Sequence, residues 1–179
     1  MTDEQVISQT QNWVKTIVVG LNFCPFASRV VKQDSIRYVV ERKVSVYAGK
    51  NTVLEECRKL DKDPSVSTTL IIFPESFADF REYLTLVAEA EKMIRQKRYD
   101  GVYQLATFHP LYQFGDVDFE DPANYTNRSV YPMVHLLREE DVTQALKFYA
   151  EPEQIPERNM RLAREKGEVY MKMLRESCF

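Results

Sequence analysis

The chain has 179 residues, 44% hydrophobic and 28% charged, a balance that suits one ordinary globular domain and excludes a disordered or fibrous chain. A formal net charge of −3, with basic residues interleaved among acids as in Glu41-Arg42-Lys43, argues against nucleic acid as a partner, which would select a basic face. No apolar run reaches the ~18–20 residues of a membrane span, and Met1-Thr2-Asp3-Glu4 is acidic where a secretion signal is basic, so the cytoplasm is expected and a membrane partner is not. In chain order, Val6, Trp13, Ile17 and Leu21 recur at helical spacing and predict a first helix from about Asp3 to Gly20. Asn22-Phe23-Cys24-Pro25-Phe26-Ala27 follows, with Pro25 forbidding an uninterrupted helix.

The alternation of Ile36, Tyr38, Val40, Val44 and Val46 predicts a strand over 35–47, irregular near Glu41–Lys43. Thr52 with Glu55 reads as a capping box opening a short helix whose inner face is Val53, Leu54, Cys57 and Leu60. Thr68–Phe73, β-branched and apolar without a break, is the expected central strand, buried on both faces. Ser76 and Asp79 cap the next helix, which runs to about Arg98 and buries Phe77, Phe80, Leu84, Val87 and Ile94. Gly101 leads into a third strand, Val102–Phe108.

From His109 to Tyr131 no period holds, although Tyr112, Phe114, Phe119, Tyr125 and Tyr131 give the stretch aromatic mass to bury. Val134–Arg138 reads as a fourth strand and Glu139–Asp141 as an acidic helix start. A last helix spans about Glu157–Glu176, burying Met160, Ala163, Tyr170 and Leu174. The fold expected is α/β: a single domain over 1–179 with a mixed, mostly parallel four-stranded sheet, in the order helix-βαβαβ-long loop-βα-α, flanked by helices.

The chain has two histidines, His109 and His135, and they bracket the irregular stretch. Neutral imidazoles at strand ends can take and give a proton near neutral pH; the plainer role is packing, with each ring bonded to a main-chain group. Asn124, Thr126, Asn127, Arg128 and Ser129 form a dense polar cluster in which Arg128 offers a planar fork for carboxylate or phosphate. The same residues also make turns through their own backbones. Asp116–Asp121 is acidic but lacks the glycine and distal glutamate of a calcium loop, and reads as a solvated run. Cys24, Cys57 and Cys178 are odd in number and widely spaced, which predicts free thiols; no CxxC pair exists. Cys24, beside Pro25 and near Arg29, is the candidate nucleophile, against a buried structural role. A Gly-rich phosphate loop, GxSxG and HExxH are all missing.

Gly20–Ala27, Phe108-His109-Pro110 with Tyr112 and Phe114, Asn124–Ser129 with Tyr131-Pro132, His135–Glu139 and Ile155-Pro156 together resemble a bacterial family catalogued as domain of unknown function 1415. The likeness runs through nearly the whole chain; Val130 stands where the family has proline. The resemblance implies that Cys24, His109, Asn127, Arg128, His135 and Arg138 belong to the family's defining motifs, without giving any of them a role.

The residues then point to a pocket walled by the Cys24 segment, His109 and Asn124–Arg138, taking a small anionic metabolite. Cys24, His109 and His135 would carry hydrolase- or transferase-like chemistry, and Asn127, Arg128, Ser129, Tyr131 and Arg138 would hold the ligand. Two alternatives stand beside it: a non-catalytic protein-interaction module, and a single-thiol redox protein using Cys24. No metal set is assigned, and cofactor and oligomeric state are left open.

Overall fold

The computed structural model describes residues 1–179. Helix α1 (Asp3–Trp13) starts at a Thr2–Gln5 capping box and runs directly into a π-helical turn, Val14–Val19. Gly20 is required there, since a Cβ would stand 2.2 Å from the Thr16 carbonyl oxygen. Asn22, left-handed at φ 54°, ends the helix and turns the chain toward Cys24. The remaining elements are α2 (Ala27–Lys32), β1 (Ile36–Val40), α3 (Val46–Lys62), β2 (Thr68–Ile72), α4 (Phe80–Gln96), β3 (Tyr103–Phe108), a 3₁₀ turn at Pro122–Thr126, β4 (Met133–Arg138), α5 (Glu139–Leu146), a short 3₁₀ turn at Pro152–Gln154, α6 (Ile155–Lys166) and α7 (Glu168–Glu176).

The four strands form one sheet in the order β1-β2-β4-β3. β1 pairs parallel with β2, while β4 lies antiparallel to both of its neighbours. The mixed α/β class is as expected, but "mostly parallel" is corrected: one neighbouring pair is parallel and two are antiparallel. The cause is the long connection after Phe108, which reverses the chain and returns β4 into the gap between β2 and β3.

All five residues of β2 are buried, as its unbroken apolar run requires. On one face Leu70, Ile72 and Met133 pack under Trp13, Ile17, Ala163 and Met171 from α1, the π turn, α6 and α7. On the other, Ile71, Phe73, Val134 and Leu136 meet Val53, Cys57 and Leu60 of α3 and Tyr83, Leu86 and Ala90 of α4. Gly49 lets α3 approach α4, since a Cβ there would stand 3.0 Å from Leu86 Cδ1.

Three local expectations change. The strand over 35–47 is cut to Ile36–Val40, because Lys43 turns left-handed (φ 51°) and the Val44 N–H goes to Ser76 Oγ (2.9 Å) instead of a sheet ladder. Ser45, not Thr52, caps α3 by accepting from the Ala48 N–H; Thr52 lies mid-helix with its hydroxyl 3.0 Å from Glu41 Oε1. The last helix is broken at Gly167 (φ 82°), and the rotation this introduces buries Met171 while Tyr170 faces outward. No helix is long and apolar enough to cross a membrane.

Arg138, expected at a ligand, closes β4 against the end of α3. Its Nη2 donates to the carbonyls of Leu60 (2.6 Å), Val66 (3.2 Å) and Asp63 (3.3 Å), and its Nη1 to Tyr103 Oη (3.2 Å). Replacing it by leucine strips those carbonyls of a charged donor. Arg138→Leu is expected to cost about 2–3 kcal/mol in urea denaturation with the slope unchanged; a change below about 0.5 kcal/mol would show that the fork contributes nothing.

Candidate functional site

The long connection after β3 is ordered by its own polar residues. Asn124 accepts from the Phe114 N–H (3.0 Å) and donates to the carbonyls of Asp118 (2.8 Å) and Phe119 (3.1 Å). Arg128, 5% exposed, donates from Nε to Tyr112 O (3.0 Å) and from Nη2 to Phe119 O (2.6 Å), with its guanidinium 4.4 Å from the Phe119 ring and 4.9 Å from that of Tyr125. Burial pulls its pKa down from the ordinary value, opposed by the adjacent Tyr125 hydroxyl. The Arg128 carbonyl in turn accepts from the Trp13 indole (3.1 Å), tying the loop to α1. Ser129 bonds to the Tyr131 carbonyl, and the Tyr131 hydroxyl to Gln9 of α1. These side chains, expected to meet a ligand, are committed to the protein itself.

The two histidines face opposite sides of the sheet. His109 is fully buried, with Phe80 and Tyr83 beside it. Its Nε2 donates to Phe77 O (2.8 Å) and its Nδ1 accepts from the Leu111 N–H (3.0 Å), so both nitrogens are used. This bond holds Phe77 in the left-handed conformation (φ 60°), a costly state for a bulky side chain. The expected convergence of both histidines with Cys24 in one hollow is therefore corrected: His109 lies on the α4 side. His135 lies on the other face, its ring 6.2 Å from that of Phe108. Its Nε2 is 2.7 Å from Thr68 Oγ1, and burial pushes its pKa down to about 4.

On the His135 side a cavity of about 360 Å³ opens between four segments. Val18 of the π turn with Phe23 and Cys24 form one wall; Phe108, closing β3, forms a second. Phe114, Thr126 and Asn127 come from the loop, and Ile155, Pro156, Asn159 and Met160 from the start of α6. Asn127 bridges wall and sheet, donating to Thr107 O (3.0 Å) and accepting at its own carbonyl from the His109 N–H (3.1 Å). Asn159 holds the Phe23 carbonyl (2.6 Å), which fixes the Cys24 segment against α6. Of the sequence-predicted residues, Cys24 and Asn127 line this cavity. The π turn and α6 were missed; the signal available for the first was Gly20 interrupting an otherwise helical pattern.

Cys24 is half-buried, whereas Cys57 and Cys178 are buried, and no disulfide forms. Burial raises the Cys24 pKa, partly offset by the main-chain N–H groups of Phe26 and Ala27, so the group is a thiol at neutral pH. No charged side chain lines the cavity. No group of three or more His, Cys, Asp or Glu side chains is placed to hold a metal ion.

The family model described as "Protein of unknown function (DUF1415)" matches residues 5–173. No curated protein and no solved structure matches the chain.

Two outcomes follow from this geometry. Lysine cannot fork onto two carbonyls, so Arg128→Lys is expected to open the loop to limited proteolysis between residues 111 and 121 and to cost about 1–3 kcal/mol; an unchanged cleavage pattern would remove the clamp. His135 refuses a proton in the folded state down to about pH 4, whereas the unfolded chain takes it near 6.5. Stability should therefore be full above pH 6.5 and fall as the pH drops through that window, by about 2–3 kcal/mol from this residue between pH 7 and 4.5. His109, also lowered by burial, adds in the same direction. Denaturation followed by Trp13 fluorescence should show a shallower decline in His135→Leu; equal declines would mean that His135 is not held neutral.

Proposed function

This chain belongs to the DUF1415 family, and on that premise we propose that it is a cytoplasmic protein binding a small, uncharged and mainly apolar molecule in the cavity beside Cys24. The observation that carries this reading is the cavity's make-up: seven of its eleven lining residues are hydrophobic, none is charged, and one is a half-buried thiol. Its volume of about 360 Å³ falls in the range of small-ligand sites, ~300–1,000 Å³.

The anionic metabolite suggested by the arginines finds less support, because Arg128 and Arg138 spend their donors on main-chain carbonyls. Arg158, close to the rim, bonds Asn22 O and Asn159 Oδ1. With no cation facing inward, a carboxylate or phosphate would lose its hydration without compensation. Any covalent or redox step would begin at the Cys24 thiol.

Alkylation tests the reading directly. Iodoacetamide is neutral and should label Cys24 of the native protein ahead of Cys57 and Cys178, while iodoacetate, an anion, should label it at least tenfold more slowly after correction for their rates with free cysteine. Met160→Trp, which fills the cavity, should slow the neutral reagent without lowering stability. Peptide mapping reads each site. Equal corrected rates for the two reagents, or no effect of Met160→Trp, would overturn the proposal.

A further inference from the structure

We propose that the Cys24 cavity offers its occupant two amide N–H groups, one each from Asn127 and Asn159, and so takes a neutral molecule bearing an acceptor oxygen, such as the carbonyl of a ketone, ester or amide. This rests on the small-molecule reading above and names the polar group that the molecule carries.

Three polar side chains line the cavity: Thr126, Asn127 and Asn159. Their neighbours fix which way each amide faces. Asn159 meets a carbonyl, Phe23 O at 2.6 Å, and a guanidinium, Arg158 Nη2 at 2.8 Å. A carbonyl has no hydrogen and a guanidinium no lone pair to offer, so the amide nitrogen faces Phe23 and the amide oxygen faces Arg158. Asn127 is set in the same way by Thr107 O, 3.0 Å from its Nδ2, with its Oδ1 3.1 Å from Thr126 Oγ1.

An amide nitrogen carries two hydrogens. In Asn127 and Asn159 one of them has an acceptor and the other has none in the protein. Asn124 shows the alternative within the same loop. It is fully buried and stands outside the cavity lining, and both of its hydrogens are taken, by Asp118 O and Phe119 O, while its oxygen accepts from the Phe114 N–H. A structural asparagine in this fold is thus fully spent. The two that border the cavity are not.

Asn159 is only 7% exposed, and the open space that it borders is the cavity. A buried N–H without an acceptor is rarer and costlier than an oxygen with a lone pair to spare. The oxygens here are already served, Asn159 Oδ1 by Arg158 and Asn127 Oδ1 by Thr126, whose hydroxyl also reaches Ala123 O (2.9 Å). Unmet capacity in the lining therefore lies on the donor side. The group that satisfies it is an acceptor without a charge, since no cation stands among the lining residues to offset one. Through the Phe23 carbonyl Asn159 also holds the residue next to Cys24, so one of the two donors stands on the element that fixes the thiol's segment.

Protection of Cys24 from iodoacetamide reports occupancy of the cavity. Acetophenone and α-methylstyrene have nearly the same shape, but the first carries a carbonyl where the second carries a methylene group. Acetophenone should half-protect the native protein at a concentration about fivefold below that needed for α-methylstyrene, the weight of one neutral hydrogen bond. In Asn127→Leu and in Asn159→Leu this preference should shrink, and in the double variant vanish, while protection by α-methylstyrene persists and shows the walls intact. Side-chain amide spectra of the ¹⁵N-labelled native protein give a second reading that needs no substitution. Acetophenone should shift one proton of the Asn127 and Asn159 pairs more than its partner and leave the Asn124 pair in place. Equal protection by the two probes, a preference that survives the double variant, or saturation by acetophenone with both amide pairs unmoved overturns this inference and leaves the apolar-cavity reading standing. Protection by neither probe overturns both.

Discussion

A buried guanidinium with no carboxylate against it is the constraint around which this molecule is arranged. Arg128 is surrounded by main-chain carbonyls and two aromatic faces, and a cation in that position keeps its charge tolerable only if every one of those groups stays in place. The requirement orders Tyr112 and Phe119 at once, and through the Arg128 carbonyl it seats the Trp13 indole, whose edge lies on Phe108 at 5.0 Å. Loop, first helix and the end of β3 are thereby fixed by one residue. The cavity is lined from the same segments, so its shape is a by-product of satisfying that charge.

The regular part of the fold was legible in the sequence where periodicity was strong. The uninterrupted run of β2, the capped α4 and the boundary of β4 all followed from local pattern. What local pattern cannot convey is register between distant segments. Val44 and Val46 alternate like a strand, but Ser76, 32 residues on, takes the Val44 N–H, and Lys43 turns the chain. The place of β4 within the sheet depends on how the 24-residue connection from His109 to Pro132 closes, which no short window encodes.

The site was legible in part for a related reason. Cys24, Asn127 and His135 were identified by residue type, and they lie on one side of the sheet. Arg128, Arg138, Ser129 and Tyr131 share the chemistry of ligand binders, yet carbonyls of their own chain take up their hydrogen bonds. Residue type shows what a group is able to bond; its remaining capacity is known only once its neighbours are. His109 and His135 make the contrast within a single fold. They are chemically identical and flank one loop, but one has both nitrogens engaged and the other has one to spare.

The insertion of β4 between β2 and β3 also bears on how the molecule is made. On an emerging nascent chain, β1, β2 and β3 are complete well before residue 133 leaves the ribosome, but β2 and β3 are not neighbours and have no ladder to form with each other. Each therefore offers an unpaired edge until the missing strand arrives, and β2 is also the strand that the finished fold buries at every position. Completion of the sheet therefore waits for β4, and premature pairing of those edges with another chain is the hazard that this topology carries.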